Sequence, residues 1–275
     1  MDKGQAEGTP MSTLLIYVLP QGMVFAADRN ITVTVPTQAD GTGPPVMYQA
    51  QDTACKIVRW PRRQALVGYV GLAEIGQQST HEWLYDFVGD HVNFIDSKQV
   101  ALDLREKLQE TVGDLDPPQH LIVEFGTFAI QDGVIVPEMW HVTNVHGMNE
   151  KTGEYYAPEK DFRASEQILG NHLKHIRADK LREELRDCAD RHDPFWFHQS
   201  IDLAIFNTLE SAVKAGFKIL QDHGRIHPPA TLEDWERHAR MWILVYGAYF
   251  EAFGGPAEKY VGGGADVLSI PWPGS

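Results

Sequence analysis

Cysteine is nearly absent from this 275-residue chain. Two residues, Cys55 and Cys188, form neither a disulfide framework nor a CxxC pair, so no zinc ribbon is expected and a reducing compartment fits. Basic charge is also scarce. With 24 Lys and Arg against 38 Asp and Glu, the formal net charge is −14, which argues against nucleic acid, because neutralising phosphates needs a basic surface. No apolar run approaches the ~20 residues that span a bilayer. Residues 1–11 lack the basic and then apolar sections of a signal peptide. A cytoplasmic protein without a membrane partner is the expectation. The content is otherwise that of a globular protein, 43% hydrophobic and 23% charged, enough for a sizeable core.

Residues 1–11 carry Gly, Pro, Gln and Asp without period and read as a leader or propeptide, leaving 12–275 as a single domain. Thr13 to Leu19 is a β-rich run too short for a buried helix. Pro20-Gln21-Gly22 is a turn signal and Met23 to Ala27 a second strand, so a hairpin opens the domain. Ile31 to Val35 alternates like a third strand. Residues 36–46 read as a loop, followed by strands over Ala54 to Trp60 and Gln64 to Val70.

A helix is expected around Trp83, Leu84, Phe87, Val88 and His91, and another from an N-cap at Ser97 with Val100, Leu104 and Leu108 on one face. Strands return over Leu121 to Ile130 and Val134 to Val145, split by Asp132-Gly133. The rest reads mostly as helix. Ile205, Leu209, Ala212, Gly216 and Ile219 form a stripe expected to face the core, and Phe195-Trp196-Phe197 reads as a helix docking inward. Thr231 with Asp234 predicts a capping box, and Ala265 to Ile270 a last strand. Hairpins rather than βαβ units imply antiparallel sheets with helices outside, a layered α+β architecture.

One constellation suggests chemistry. Ser12 opens the first strand, Asp28 ends the second, Lys56 lies near the next strand pair, and Gly71 follows the strand after that. A serine hydroxyl is a poor nucleophile without a base. Were Ser12 the first residue, its own α-amine, with a reference pKa of roughly 7.7 to 8.0, would serve. Met11 before a small residue is the kind of initiator that is trimmed. A nearby lysine ammonium would lower the amine's pKa, an aspartate would hold that lysine, and a glycine N–H could stabilise an oxyanion. Taken singly, each residue has a plainer reading: Ser12 a polar residue before a strand, Asp28 a turn residue, Lys56 a solvent-facing strand lysine, Gly71 a tight turn.

The run STLLIYVLPQGMVFAADRNIT resembles the opening of proteasome β-type subunits, the bacterial Anbu group in particular. Counting without a gap sets Ser12 on that family's N-terminal threonine and Asp28 on its aspartate. CKIVRW sets Lys56 on the lysine, ALVGYVGLAE sets Gly71 on the oxyanion donor, and GGGADVLSI resembles the segment that closes the fold. The resemblance implies a four-layer αββα sandwich, an N-terminal-nucleophile (Ntn) hydrolase acting on peptides or small amides without cofactor or metal, and a ring or spiral homo-oligomer with a possible ATPase partner. This chain departs from the pattern in carrying Ser for Thr, in Met rather than Gly before it, and in lacking a clear match for the family's distal Asp/Ser group. A non-catalytic structural subunit of the same fold, or a small-amide amidase, are the alternatives.

His172 and His175 share a helical spacing, but no carboxylate completes a ligand set, and surface histidines are the simpler reading. His81-Glu82 is not an HExxH motif, and Gly262 to Gly264 lacks the following helix of a phosphate loop.

Overall fold

The computed structural model describes residues 12–36, 45–51, 54–60, 65–93, 96–131, 133–147, 156–166, 178–200, 203–253 and 263–273. The expected leader at 1–11, and His172 with His175, lie outside them.

Two antiparallel sheets form the body. The first has the order β12-β1-β2-β13, from β1 (Leu14–Leu19), β2 (Gly22–Asp28), β12 (Trp196–Ser200) and β13 (Ala265–Pro271). The second has the order β11-β10-β9-β6-β5, from β5 (Ile57–Arg59), β6 (Ala65–Gly71), β9 (Leu121–Gln131), β10 (Val134–Thr143) and β11 (Arg163–Glu166). Two small hairpins join β3 (Ile31–Pro36) to β4 (Pro45–Gln51), and β7 (Glu74–Ile75) to β8 (Gln78–Ser79). Among the described residues there are five helices: α1 (Thr80–Asp90), α2 (Ser97–Val112), α3 (Ala178–Arg191), α4 (Leu203–Asp222) and α5 (Leu232–Phe253).

The unbroken apolar run of β1 follows from burial on both of its faces. Leu14, Ile16 and Val18, with Met23 and Phe25 of β2, meet Ile57, Leu66, Val70 and Ile122 of the other sheet. On the opposite face Leu15, Tyr17 and Leu19 pack with Trp235, Ala239, Trp242 and Ile243 of α5. A third cluster sets α1 and α2, through Leu84, Phe87, Leu104 and Leu108, against Val67, Tyr69, Val123 and Phe125. The sheets approach closely because Gly126 has no side chain. A Cβ there would meet Met139 Sδ at 2.8 Å and Phe25 Cζ at 2.9 Å. Phe25 thus fills the space between sheets, and its truncation to alanine should cost about 3–5 kcal/mol.

The helix ends follow from capping chemistry. Ser79 and Glu82 close a reciprocal box at the start of α1. Thr231 Oγ1 accepts from Asp234 N–H at 3.1 Å, and Asp234 Oδ2 accepts from Thr231 N–H at 2.9 Å, as the sequence predicts. For α2 the expectation was one residue late: Asp96 is the cap, its carboxylate accepting from Lys98 N–H, and Ser97 is the first helical residue.

Other expectations need correcting. The loop expected over 36–46 ends early: residues 45 and 46 already belong to β4, a strand not expected from the sequence, because Pro45–Gln51 pairs with the Ile31–Pro36 arm. The strand expected over 54–60 shrinks to Ile57–Arg59. Phe195-Trp196-Phe197 enters an edge strand, not a helix: β12 pairs with β1 with Tyr17 opposite Phe197, in keeping with the strand preference of aromatic residues. The α4 stripe is also rotated. Ala212, Gly216 and Ile219 are exposed, while Leu209 and Val213 pack toward the core.

Candidate active site

Ser12 sits two residues ahead of Leu14, the start of β1, half-buried, and β1 and β2 are held in register by a tight turn, with Leu19 opposite Gly22. That hairpin brings the start of β1 beside the end of β2. Asp28 N–H donates to Thr13 O at 3.2 Å, and Thr13 N–H donates to Asp28 Oδ1 at 2.7 Å. Asn30 N–H donates to Asp28 Oδ2 at 3.1 Å. Asp28 is fully buried, so neither of its oxygens depends on solvent for a partner. The plain turn-residue reading of Asp28 does not describe this carboxylate.

Lys56 comes from the other sheet. It stands just ahead of β5, its carbonyl accepting from Tyr69 N–H of β6 at 3.1 Å. Its side chain is 2% exposed, which also ends the solvent-facing reading. The Nζ lies 2.9 Å from Ser12 Oγ, 3.0 Å from Asp28 Oδ1 and 2.6 Å from Asn30 O. Three acceptors around one nitrogen match the three protons of an ammonium.

Burial acts on both charges first, pushing the Asp28 carboxyl up and the Lys56 ammonium down from their ordinary values. Their mutual attraction and hydrogen bonds oppose it in each case, joined at Asp28 by the N–H groups of Thr13 and Asn30. A buried pair of this kind survives only when its remaining hydrogen-bond capacity is filled. Here three backbone groups fill it.

Gly71 ends β6, two residues beyond the Tyr69 that bonds Lys56. Its φ is +106°, a backbone state that suits glycine. A Cβ would overlap the His120 carbonyl oxygen. Leu72 N–H donates to that same carbonyl at 2.8 Å. The structure therefore joins Ser12, Asp28 and Lys56 by direct hydrogen bonds and sets Gly71 further along the strand that pairs with Lys56.

Several groups around this cluster gave no signal in the sequence. Thr13 and Asn30 act through their backbones, which any residue type would supply. Asp266, the one charged residue of the ADVLSI run, did carry one. Its Oδ2 accepts from Lys56 N–H at 3.3 Å, and its Oδ1 lies 3.8 Å from Arg29 Nη2. The Tyr69 hydroxyl donates to Cys55 O at 3.3 Å; burial first, then the charges of Asp28, Cys55 and Asp266, raise its pKa. His81, at the start of α1, is pulled below its ordinary value by burial, with Asp266 opposing.

Among the described residues no three His, Cys, Asp or Glu side chains gather as metal ligands. No helix among them is long and apolar enough to cross a membrane.

No protein-family model matches the sequence, and neither does any curated protein. Among solved structures the chain is similar to Anbu (ancestral beta-subunit) from Yersinia bercovieri, at 13% identity and a TM-score of 0.43, over 94% of this chain and 81% of that one.

Proposed function

We propose that this chain is an N-terminal-nucleophile amide hydrolase with a four-layer αββα fold, whose nucleophile is Ser12. One observation carries the reading: a buried lysine, held by a buried aspartate, places its Nζ 2.9 Å from the Ser12 hydroxyl. The structural alternatives for a buried lysine need a carboxylate partner, but they do not need a serine oxygen at the head of a strand.

The chemistry runs as follows. With Ser12 as first residue, Oγ attacks the amide carbon and its proton passes to the α-amine. The carbonyl oxygen becomes an oxyanion, for which Gly71 N–H is the donor. The amine then gives the proton to the leaving nitrogen as the C–N bond breaks, leaving an ester on Ser12. Water, deprotonated by the same amine, hydrolyses that ester. Lys56 is not the base in this scheme; it acts as an ammonium paired with Asp28. Its charge favours the neutral amine and the forming alkoxide, while Asp28 holds it in place.

The sequence resemblance to proteasome β-type subunits supports a peptide substrate, a cytoplasmic setting, a ring or spiral of identical subunits, and an ATPase partner. A small amide is the alternative substrate. The test joins the intact mass of protein expressed from its own gene to hydrolysis of a panel of peptides and small amides. A chain beginning at Ser12 that turns over substrate, and loses turnover in Ser12→Ala, is expected. A chain that keeps residues 1–11 and cleaves nothing would instead make it a structural subunit.

A further inference from the structure

We infer that Asp266 is a positioning residue that fixes Lys56 for the reaction, a role that rests on the hydrolase reading above. Lys56 stands outside regular strand geometry. Its carbonyl is satisfied within its own sheet by Tyr69 N–H at 3.1 Å, but its N–H finds a partner in the opposite sheet, the Asp266 carboxylate of β13 at 3.3 Å. The second Asp266 oxygen lies 3.8 Å from the guanidinium of Arg29, the residue after Asp28. Arg29 N–H donates to Gly264 O at 3.3 Å, and Arg29 O accepts from Ala54 N–H at 3.1 Å. These bonds close a ring that runs from β13 through Arg29 to the segment carrying Lys56.

Anchoring β13 itself does not require this carboxylate. The strand pairs with β2 along its whole length, from Ala265 opposite Asp28 to Pro271 opposite Gly22. What Asp266 adds is a tie between the two sheets at the backbone of Lys56. The Arg29 side chain is 39% exposed, so solvent screens that ion pair. The bond to Lys56 N–H, made by a charged acceptor that is 12% exposed, is the stronger of the two contacts. Displacing a reacting group by about 1 Å can cost on the order of 100-fold in rate, so the tie bears on turnover rather than on affinity.

The experiment compares Asp266→Ala, Asp266→Asn and, on the same strand, Ser269→Ala, whose hydroxyl bonds Glu236 at 2.5 Å. Each variant is assayed for kcat, KM and thermal midpoint, and for the ¹³Cε signal of Lys56 in lysine-labelled protein, assigned by its loss in Lys56→Arg. Asp266→Ala is expected to lower kcat roughly 10- to 100-fold with KM little changed and to move the Lys56 signal. Asp266→Asn, which keeps an acceptor for Lys56 N–H, should recover most of the rate, and Ser269→Ala should match the wild type. A Lys56 signal unmoved in Asp266→Ala overturns the positioning role whatever the activity. So does a rate loss that Ser269→Ala shares. If the wild type cleaves nothing, the hydrolase reading falls, and the Lys56 signal still decides whether Asp266 holds that side chain.

Discussion

Lys56 Nζ and Ser12 Oγ, 44 residues apart in the chain and on different sheets, stand 2.9 Å from each other. The lysine reaches that position from a buried site, where it also bonds the Asp28 carboxylate. Much of the site's behaviour follows from this one crossing between sheets.

Removing the serine hydroxyl should abolish hydrolysis and leave the fold nearly intact. Ser12→Ala takes one partner from the buried Lys56 Nζ, so it should cost about 1–3 kcal/mol without preventing folding. Ser12→Thr should keep activity, since its methyl group only restricts the rotamer. Turnover and urea midpoints of both variants check this.

Removing the lysine should harm both properties. Lys56→Met leaves Asp28 charged, buried and without its cation, at a cost of about 3–5 kcal/mol. Lys56→Met with Asp28→Asn should regain a large part of that stability and none of the activity. A double-mutant cycle on urea midpoints separates the pair energy from the single losses.

The sequence made the positions of Ser12 and Asp28 legible because a two-stranded hairpin with a short turn has few ways to close. It made Lys56 legible as a candidate but not as a buried cation, because CKIVRW alternates like any half-exposed strand. The partners that complete the site, Thr13 N–H and Asn30 C=O, are backbone groups and leave no trace in residue type. Elsewhere β12 was hidden for a related reason. Trp196 to Ser200 is paired at a sheet edge by distant residues of β1, and no local period announces that. The α4 stripe failed differently: three- and four-residue spacing fixes a helix but not which of two apolar faces turns inward.

Stability should depend on pH through a second, partly buried pair. Burial pulls the His141 imidazole down, but the charge and hydrogen bond of Glu124, 2.7 Å away, leave it raised above 6.5. A raised folded value means this contribution is full below pH 6.5 and is lost as pH climbs through the folded pKa. His120 acts in the opposite sense. Burial and then the His141 charge push it down to about 4, so its contribution is present above pH 6.5 and lost as pH falls toward 4. Thermal midpoints across pH 4 to 9 should fall on both sides, and His141→Gln should flatten the alkaline limb.

Gly71→Ala should be poorly tolerated. A side chain at φ +106° that also overlaps the His120 carbonyl strains the end of β6. Gly76, at φ +65°, has nothing within 4 Å of an added Cβ, so Gly76→Ala meets backbone strain alone. The fall in thermal midpoint should be clearly larger for Gly71→Ala.

The central claim is that Ser12 supplies hydroxyl and base from one residue. A peptide epoxyketone tests it directly, since the ring adduct it forms needs both a hydroxyl and a free α-amine on the same residue. Protein with Ser12 exposed should gain one adduct, mapped by mass spectrometry to Ser12 and absent from Ser12→Ala. An exposed Ser12 that stays unlabelled while turnover continues, or an adduct elsewhere in the chain, would contradict it.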